Sequence, residues 1–114
     1  MAQLYNLPDA YKGDTYDSIQ FTLLINGVAL DLTGSAIKIE FRKEKKTGAL
    51  TKSITDGSGI TITDATGGIF IIDAFDLDFS SGAYYYDIQI TTAASVITTY
   101  IQGILNVTED VTNG

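Results

Sequence analysis

Short runs of alternating apolar and polar residues, each stopped by a turn, are the feature that most limits what this chain can fold into. Between 37 and 42, Ile37, Ile39 and Phe41 alternate with Lys38, Glu40 and Arg42. Between 84 and 91, Tyr84, Tyr86, Ile88 and Ile90 alternate with Tyr85, Asp87, Gln89 and Thr91. Ile19, Phe21 and Leu23 alternate with Gln20 and Thr22 in the same way. A period of two sends the two sets to opposite faces of a β-strand, one toward a core and one toward solvent. No stretch keeps the spacing of about 3.6 residues that an amphipathic helix needs.

The punctuation agrees with the alternation. Asn26-Gly27 supplies two residues that accept positive φ, the requirement of a type I′ turn, so 19–25 and 28–32 read as a hairpin or tight reversal. The charged segment Lys43–Gly48 separates the run to Arg42 from a return strand over 49–54. Turns are expected at Asp56–Gly59, Asp64–Gly68 and 93–95. The continuous apolar run Ile69–Ile72 fits a strand buried on both faces or near a sheet centre. Leu77 and Phe79 should tuck inward from the polar corner Asp76–Gly82. Val96–Val107 reads as one long strand, with Gly103 marking a bulge or bend.

About seven or eight short strands with turn signals every 8–12 residues point to an all-β, immunoglobulin-like antiparallel β-sandwich. A small barrel is the structural alternative. The 114 residues fit a single domain over 1–114, with 1–13 either an N-terminal arm or a first strand.

Composition narrows the chemistry. The chain has no cysteine and no histidine, which removes disulfides, thiolate nucleophiles, Ser-His-Asp triads and the commonest metal ligand. No phosphate-cradling Gly-rich loop and no nucleophile elbow is present. Asp73, Asp76 and Asp78, with Asp87 further on, could offer oxygens to Ca2+. Ser81, however, stands at the sixth loop position, where a helix–loop–helix calcium site needs glycine. A solvated corner with acidic turn residues is the preferred reading. Paired carboxylates could also serve a glycosidase, but a core of this size leaves little chain for a cleft. The expectation is therefore no enzyme, no catalytic residues, no metal and no cofactor.

The net charge is −7 and uneven. All seven bases lie at or before Lys52, against six acids there, while residues 53–114 hold eight acids and no base. Such a balance disfavours nucleic acid as a partner. No apolar run reaches the roughly 18 residues that cross a membrane as a helix, so no membrane partner is expected either. The N-terminus lacks the basic and apolar regions of a signal peptide. Asn106-Val107-Thr108 matches a glycosylation acceptor only formally.

The candidate interface residues are aromatic and basic. Alternation sends Tyr85 to the face opposite Tyr84 and Tyr86, where it could anchor a protein or a glycan. Lys43, Lys45 and Lys46 form a basic turn, suited either to docking on acidic neighbours or to discouraging edge aggregation. Leu4 and Tyr5 need burial, against this chain or a partner.

The linear pattern also resembles a known family. It runs from Gly13-Asp14-Thr15 through Phe21-Thr22-Leu23 and Asn26-Gly27 to Asp31-Leu32-Thr33-Gly34-Ser35-Ala36. It continues in Gly59-Ile60-Thr61-Ile62-Thr63-Asp64-Ala65-Thr66-Gly67-Gly68 and Ser81-Gly82-Ala83-Tyr84-Tyr85-Tyr86-Asp87-Ile88, and closes on Val107-Thr108. Over most of its length the chain is similar to small β-sandwich virion proteins of tailed bacteriophages, including the N-terminal domain of baseplate upper proteins. The resemblance implies a structural role in the capsid, neck, tail or baseplate. It implies other virion proteins as partners, homo-oligomerisation and location in the virion after synthesis in the bacterial host's cytoplasm. The chain ends near the point where baseplate upper proteins continue, which points to a free-standing accessory protein. A carbohydrate-binding or adhesin module, with a glycan on the Tyr85 face, is the alternative.

Overall fold

A computed structural model describes residues 3–45 and 47–108. The described residues form strands and turns with no helix. The strands are β1 (Gln3–Leu4), β2 (Ala10–Tyr11), β3 (Thr15–Tyr16), β4 (Ile19–Thr22), β5 (Leu24–Ile25), β6 (Val28–Ala29) and β7 (Ala36–Lys43). They continue as β8 (Leu50–Asp56), β9 (Gly59–Asp64), β10 (Ile69–Ile72), β11 (Phe75–Asp76), β12 (Gly82–Thr91) and β13 (Ile97–Thr108). One curled sheet runs in the order β1-β13-β12-β7-β8-β9-β10-β4, with β2 also on β13. Two short ribbons, β11-β3 and β5-β6, stand apart from it.

The curl begins where β8 passes into β9. Thr55 and Ser58 exchange backbone hydrogen bonds of 3.1 and 2.9 Å, and the Gly57 N–H donates to the Ile60 carbonyl at 2.9 Å. This tight corner lets one chain segment leave one layer of the sandwich and enter the other. Apolar residues from both layers then meet in one core. Ile37, Ile39 and Phe41 of β7, with Tyr84, Tyr86, Ile88 and Ile90 of β12, are buried in a cluster with Phe21, Ile60, Phe70 and Ile72. Phe21 stacks on Phe70 with ring centres 5.4 Å apart. At the end nearer the β7–β8 turn, Phe79 enters from the 77–81 corner and packs on Phe41 and Tyr84, at 5.6 and 4.8 Å. Aromatic pairs in these geometries add roughly 0.5–1.5 kcal/mol each beyond their burial.

Several expectations are refined. The hairpin at Asn26-Gly27 exists, with φ of 52° and 80° at its two turn residues. Its paired residues are Leu24↔Ala29 and Ile25↔Val28, and the Leu30 N–H donates to the Leu23 carbonyl just beyond them; further out β4 pairs with β10 and the Leu32 N–H donates to the Ala65 carbonyl. Ile69–Ile72 is central in its layer but buried on only one face. Phe70 and Ile72 point into the core, while Ile69 and Ile71 are half-buried outside. The ladder is not wholly antiparallel, since β1 and β2 run parallel to β13 and β8 meets β9 in parallel.

Residues 3–12 lie along β13, with β1 and β2 as two short strands paired to it. Tyr5 and Leu7 donate to the Gln102 and Ile104 carbonyls at 2.9 and 3.0 Å, and Lys12 to the Thr108 carbonyl at 2.8 Å. Leu7 enters the core, and Tyr5 meets Phe21 of the opposite sheet edge edge-on at 5.7 Å. Tyr16 donates its hydroxyl to the Pro8 carbonyl at 2.7 Å. Burial, with Tyr5 and Asp9 adding to it, pushes the Tyr16 hydroxyl up to about 12.

This docking corrects the reading of Gly103. Gly103 pairs regularly with Tyr86, and the ladder slips instead at Tyr100, between the Ile88↔Ile101 and Gln89↔Thr99 pairs. The glycine is there for space. A Cβ on Gly103 would overlap the Tyr5 carbonyl and lie 3.0 Å from Tyr86 Cε1. The same Tyr5 carbonyl accepts the Tyr86 hydroxyl proton.

Two outcomes follow for chemical denaturation. Gly103→Ala should cost roughly 2–3 kcal/mol by overpacking, and most of that cost should vanish in a chain lacking residues 1–6. Tyr86→Phe should cost about 1–2 kcal/mol by leaving the Tyr5 carbonyl without its donor.

Candidate functional face

The outward residues of three adjacent strands form a grid fixed by register. Arg42, Tyr85 and Ile104 lie side by side on β7, β12 and β13, and Glu40, Asp87 and Gln102 form the next row. Leu4 of β1 sits beside Gln102. These residues, with Tyr86 and Gly103, line a depression of about 270 Å³ on the outer face of the sheet. Tyr85 is half-buried there, on the face its alternation predicted.

The charges in the grid are unequally satisfied. Lys38 Nζ lies 3.2 Å from one Glu40 oxygen, and the Arg42 guanidinium lies 3.3 Å from the other. Burial pushes the Glu40 carboxyl up, but these two cations outweigh it and hold the group below its ordinary range. Arg42 is further fixed by donating to the Gly48 carbonyl at 3.1 Å. Among the described residues Asp87 has no such partner. Burial, reinforced by Glu40, raises its carboxyl above the ordinary range, and Arg42 and Lys38 offset this only in part.

The other candidate residues fall elsewhere. Leu4 is exposed and joins this face, whereas Tyr5 points toward Phe21 and lines a separate cleft with Tyr100 and Leu24. The lysine turn is divided. Lys43 donates to Ser80 Oγ at 2.6 Å and lies 5.9 Å from the Tyr84 ring centre, so it braces the 77–81 corner. Lys45 is exposed at the turn, and Lys46 lies outside the described residues. Asp73 accepts from Thr61 Oγ1 at 2.8 Å, while Asp76 and Asp78 are exposed. Among the described residues no three His, Cys, Asp or Glu side chains gather into a metal-binding group.

From the sequence Asp87 is a candidate only for Ca2+, together with Asp73, Asp76 and Asp78, and Gln102 is not a candidate at all. The alternation of β12 does place Asp87 beside Tyr85 on the outer face, but its pairing with Glu40 and Gln102 depends on register. A second surface also emerges only from the structure. Leu24, Ile25 and Val28 on the β5–β6 hairpin, and Val96 and Ile97 at the start of β13, are all exposed large aliphatic residues. Gly34 abuts Ala93, and Leu24 shares a cleft with Tyr100.

Comparison with known proteins follows from this fold. Among solved structures, CopC from Methylosinus trichosporium OB3b is similar at 12% identity and a TM-score of 0.47, covering 90% of this chain and 88% of that one. Extracellular domains 3–5 of Drosophila OTK align at 18% identity and a TM-score of 0.37, covering 93% of this chain and 33% of that one. No curated protein matches the sequence. The family pattern of the BppU N-terminal domain matches residues 6–99, from the N-terminal strand through most of the sheet. The chain therefore belongs to the BppU N-terminal domain family, the N-terminal domain of baseplate upper proteins.

Proposed function

We propose that this protein is a structural component of a tailed-phage baseplate that assembles through protein–protein contacts and performs no catalysis. The family match over residues 6–99 carries this reading. The surface supports it. Five large aliphatic side chains remain exposed on the β5–β6 hairpin and around the start of β13. Exposed apolar side chains of this size favour contact with another protein surface over water. In this reading the protein is made in the host cytoplasm and acts as an oligomer inside the virion.

Mass spectrometry of purified virions should detect the protein, and antibody labelling should fall on the distal tail. A particle preparation without it, or label confined to the head, would overturn the assignment. The double substitution Val28→Glu with Ile97→Glu should leave stability within about 0.5 kcal/mol, as surface changes usually do. It should nevertheless prevent incorporation into particles, read by the same mass spectrometry.

A further inference from the structure

Glu40 and Asp87 face each other across β7 and β12, yet only Glu40 has its counter-charges. Its two oxygens are taken by Lys38 and Arg42, and Arg42 is held in place by the Gly48 carbonyl as well. Among the described residues, the Asp87 carboxylate makes neither an ion pair nor a hydrogen bond. It is half-buried at a depression whose other walls include the Tyr85 ring, Ile104 and Leu4, with the Gln102 amide beside it. A carboxylate withdrawn from water without a partner is costly, and a cation brought to it recovers part of that cost.

We infer that this depression receives the lysine or arginine side chain of a neighbouring polypeptide, with Asp87 as its counter-ion and Tyr85, Ile104 and Leu4 against its stem. The inference deepens the proposed assembly role by naming the chemistry of one partner contact. Three features favour a cation over a neutral ligand such as a sugar ring. Lys38 and Arg42 both contact Glu40 directly, so among the described residues Asp87 is the carboxylate of this face left without a direct counter-charge. The Tyr85 face can stack on a guanidinium or ammonium group. The Gln102 side-chain carbonyl adds a second acceptor beside the carboxylate.

The sign of the pH dependence follows from the groups around Asp87. These are Lys38, Glu40 and Arg42 on β7 and Tyr85 on β12, while β13 and β1 contribute the uncharged Gln102, Ile104 and Leu4. Because the folded protein holds the Asp87 proton more tightly than the unfolded chain, stability falls as pH rises through the window between the ordinary and the raised value. At neutral pH the unpaired carboxylate therefore weakens the domain. A binding residue retained at a cost to stability is a common compromise.

The test is a nuclear magnetic resonance titration of the isolated protein with arginine amide, and in parallel with N-acetylglucosamine. Arginine amide should shift the amide signals of Tyr85, Asp87 and Gln102 saturably at roughly tens of millimolar, as befits a single partly exposed ion pair. It should also lower the Asp87 carboxyl midpoint, and its binding should fade in acid. Asp87→Asn should abolish the response while raising Tm at neutral pH, with the gain disappearing in acid. Tyr85→Leu should weaken binding without removing it. No saturable shift, an unchanged response in Asp87→Asn, or saturation by the sugar but not by arginine amide would each overturn the inference. The titration uses isolated protein, so it can fail while the protein is still found in virions, and the reverse outcome is equally readable.

Discussion

Everything in this domain depends on the two-residue period of β12 being held in register. Its inward residues Tyr84, Tyr86, Ile88 and Ile90 supply the middle of the core. Its outward residues Tyr85 and Asp87 form the centre of the outer face. A slip of one position would drive a carboxylate into the core and expose two tyrosines and two isoleucines. Register is therefore defended on both sides. Eight Cα pairs align β12 with β7 and ten with β13, and the tyrosine hydroxyls are anchored to backbone carbonyls at Ser80 and Tyr5. The burial that holds the fold is thus the same constraint that fixes the position of the proposed binding residues.

The parts of the fold that were legible in the sequence are those governed by local periodicity. The alternation at Ile37–Arg42 and Tyr84–Thr91, the Asn26-Gly27 turn and the inward Leu77 and Phe79 all reappear in the structure. What was not legible depends on partners distant in sequence. Nothing near Ile19 states that β4 pairs with β10 some fifty residues later. Gly103 looked like a bulge because a glycine in a strand commonly marks one. Its actual cause, the Tyr5 carbonyl, is separated from it by almost the whole chain.

The same division applies to the candidate face. Tyr85 could be placed on the outer surface from its neighbours alone, but the significance of Asp87 arises from who is paired with whom. Lys38, Glu40 and Arg42 lie at alternate positions of one strand and satisfy each other locally. That self-sufficiency leaves Asp87, on the adjacent strand, without a direct counter-ion among the described residues. Lys43 illustrates the opposite case. In sequence it belongs to a basic turn, yet in space it is engaged with Ser80 and Tyr84, so a run of like charges does not act as one surface.

The docking of the N-terminal segment along β13 also has a mechanical consequence. The two segments run parallel, so Gln3 lies beside Ile101 while Tyr11 lies beside Thr108. Tension applied between Gln3 and Thr108 would pull the segments lengthwise past each other. The bonds from Tyr5, Leu7 and Lys12 to β13, together with the bond from Ile104 to the Asn6 side chain, would then be loaded together in shear. They would not open one after another, as they would in a hairpin pulled from its open end. A domain connected through these two points would transmit force along its length before its core was disturbed.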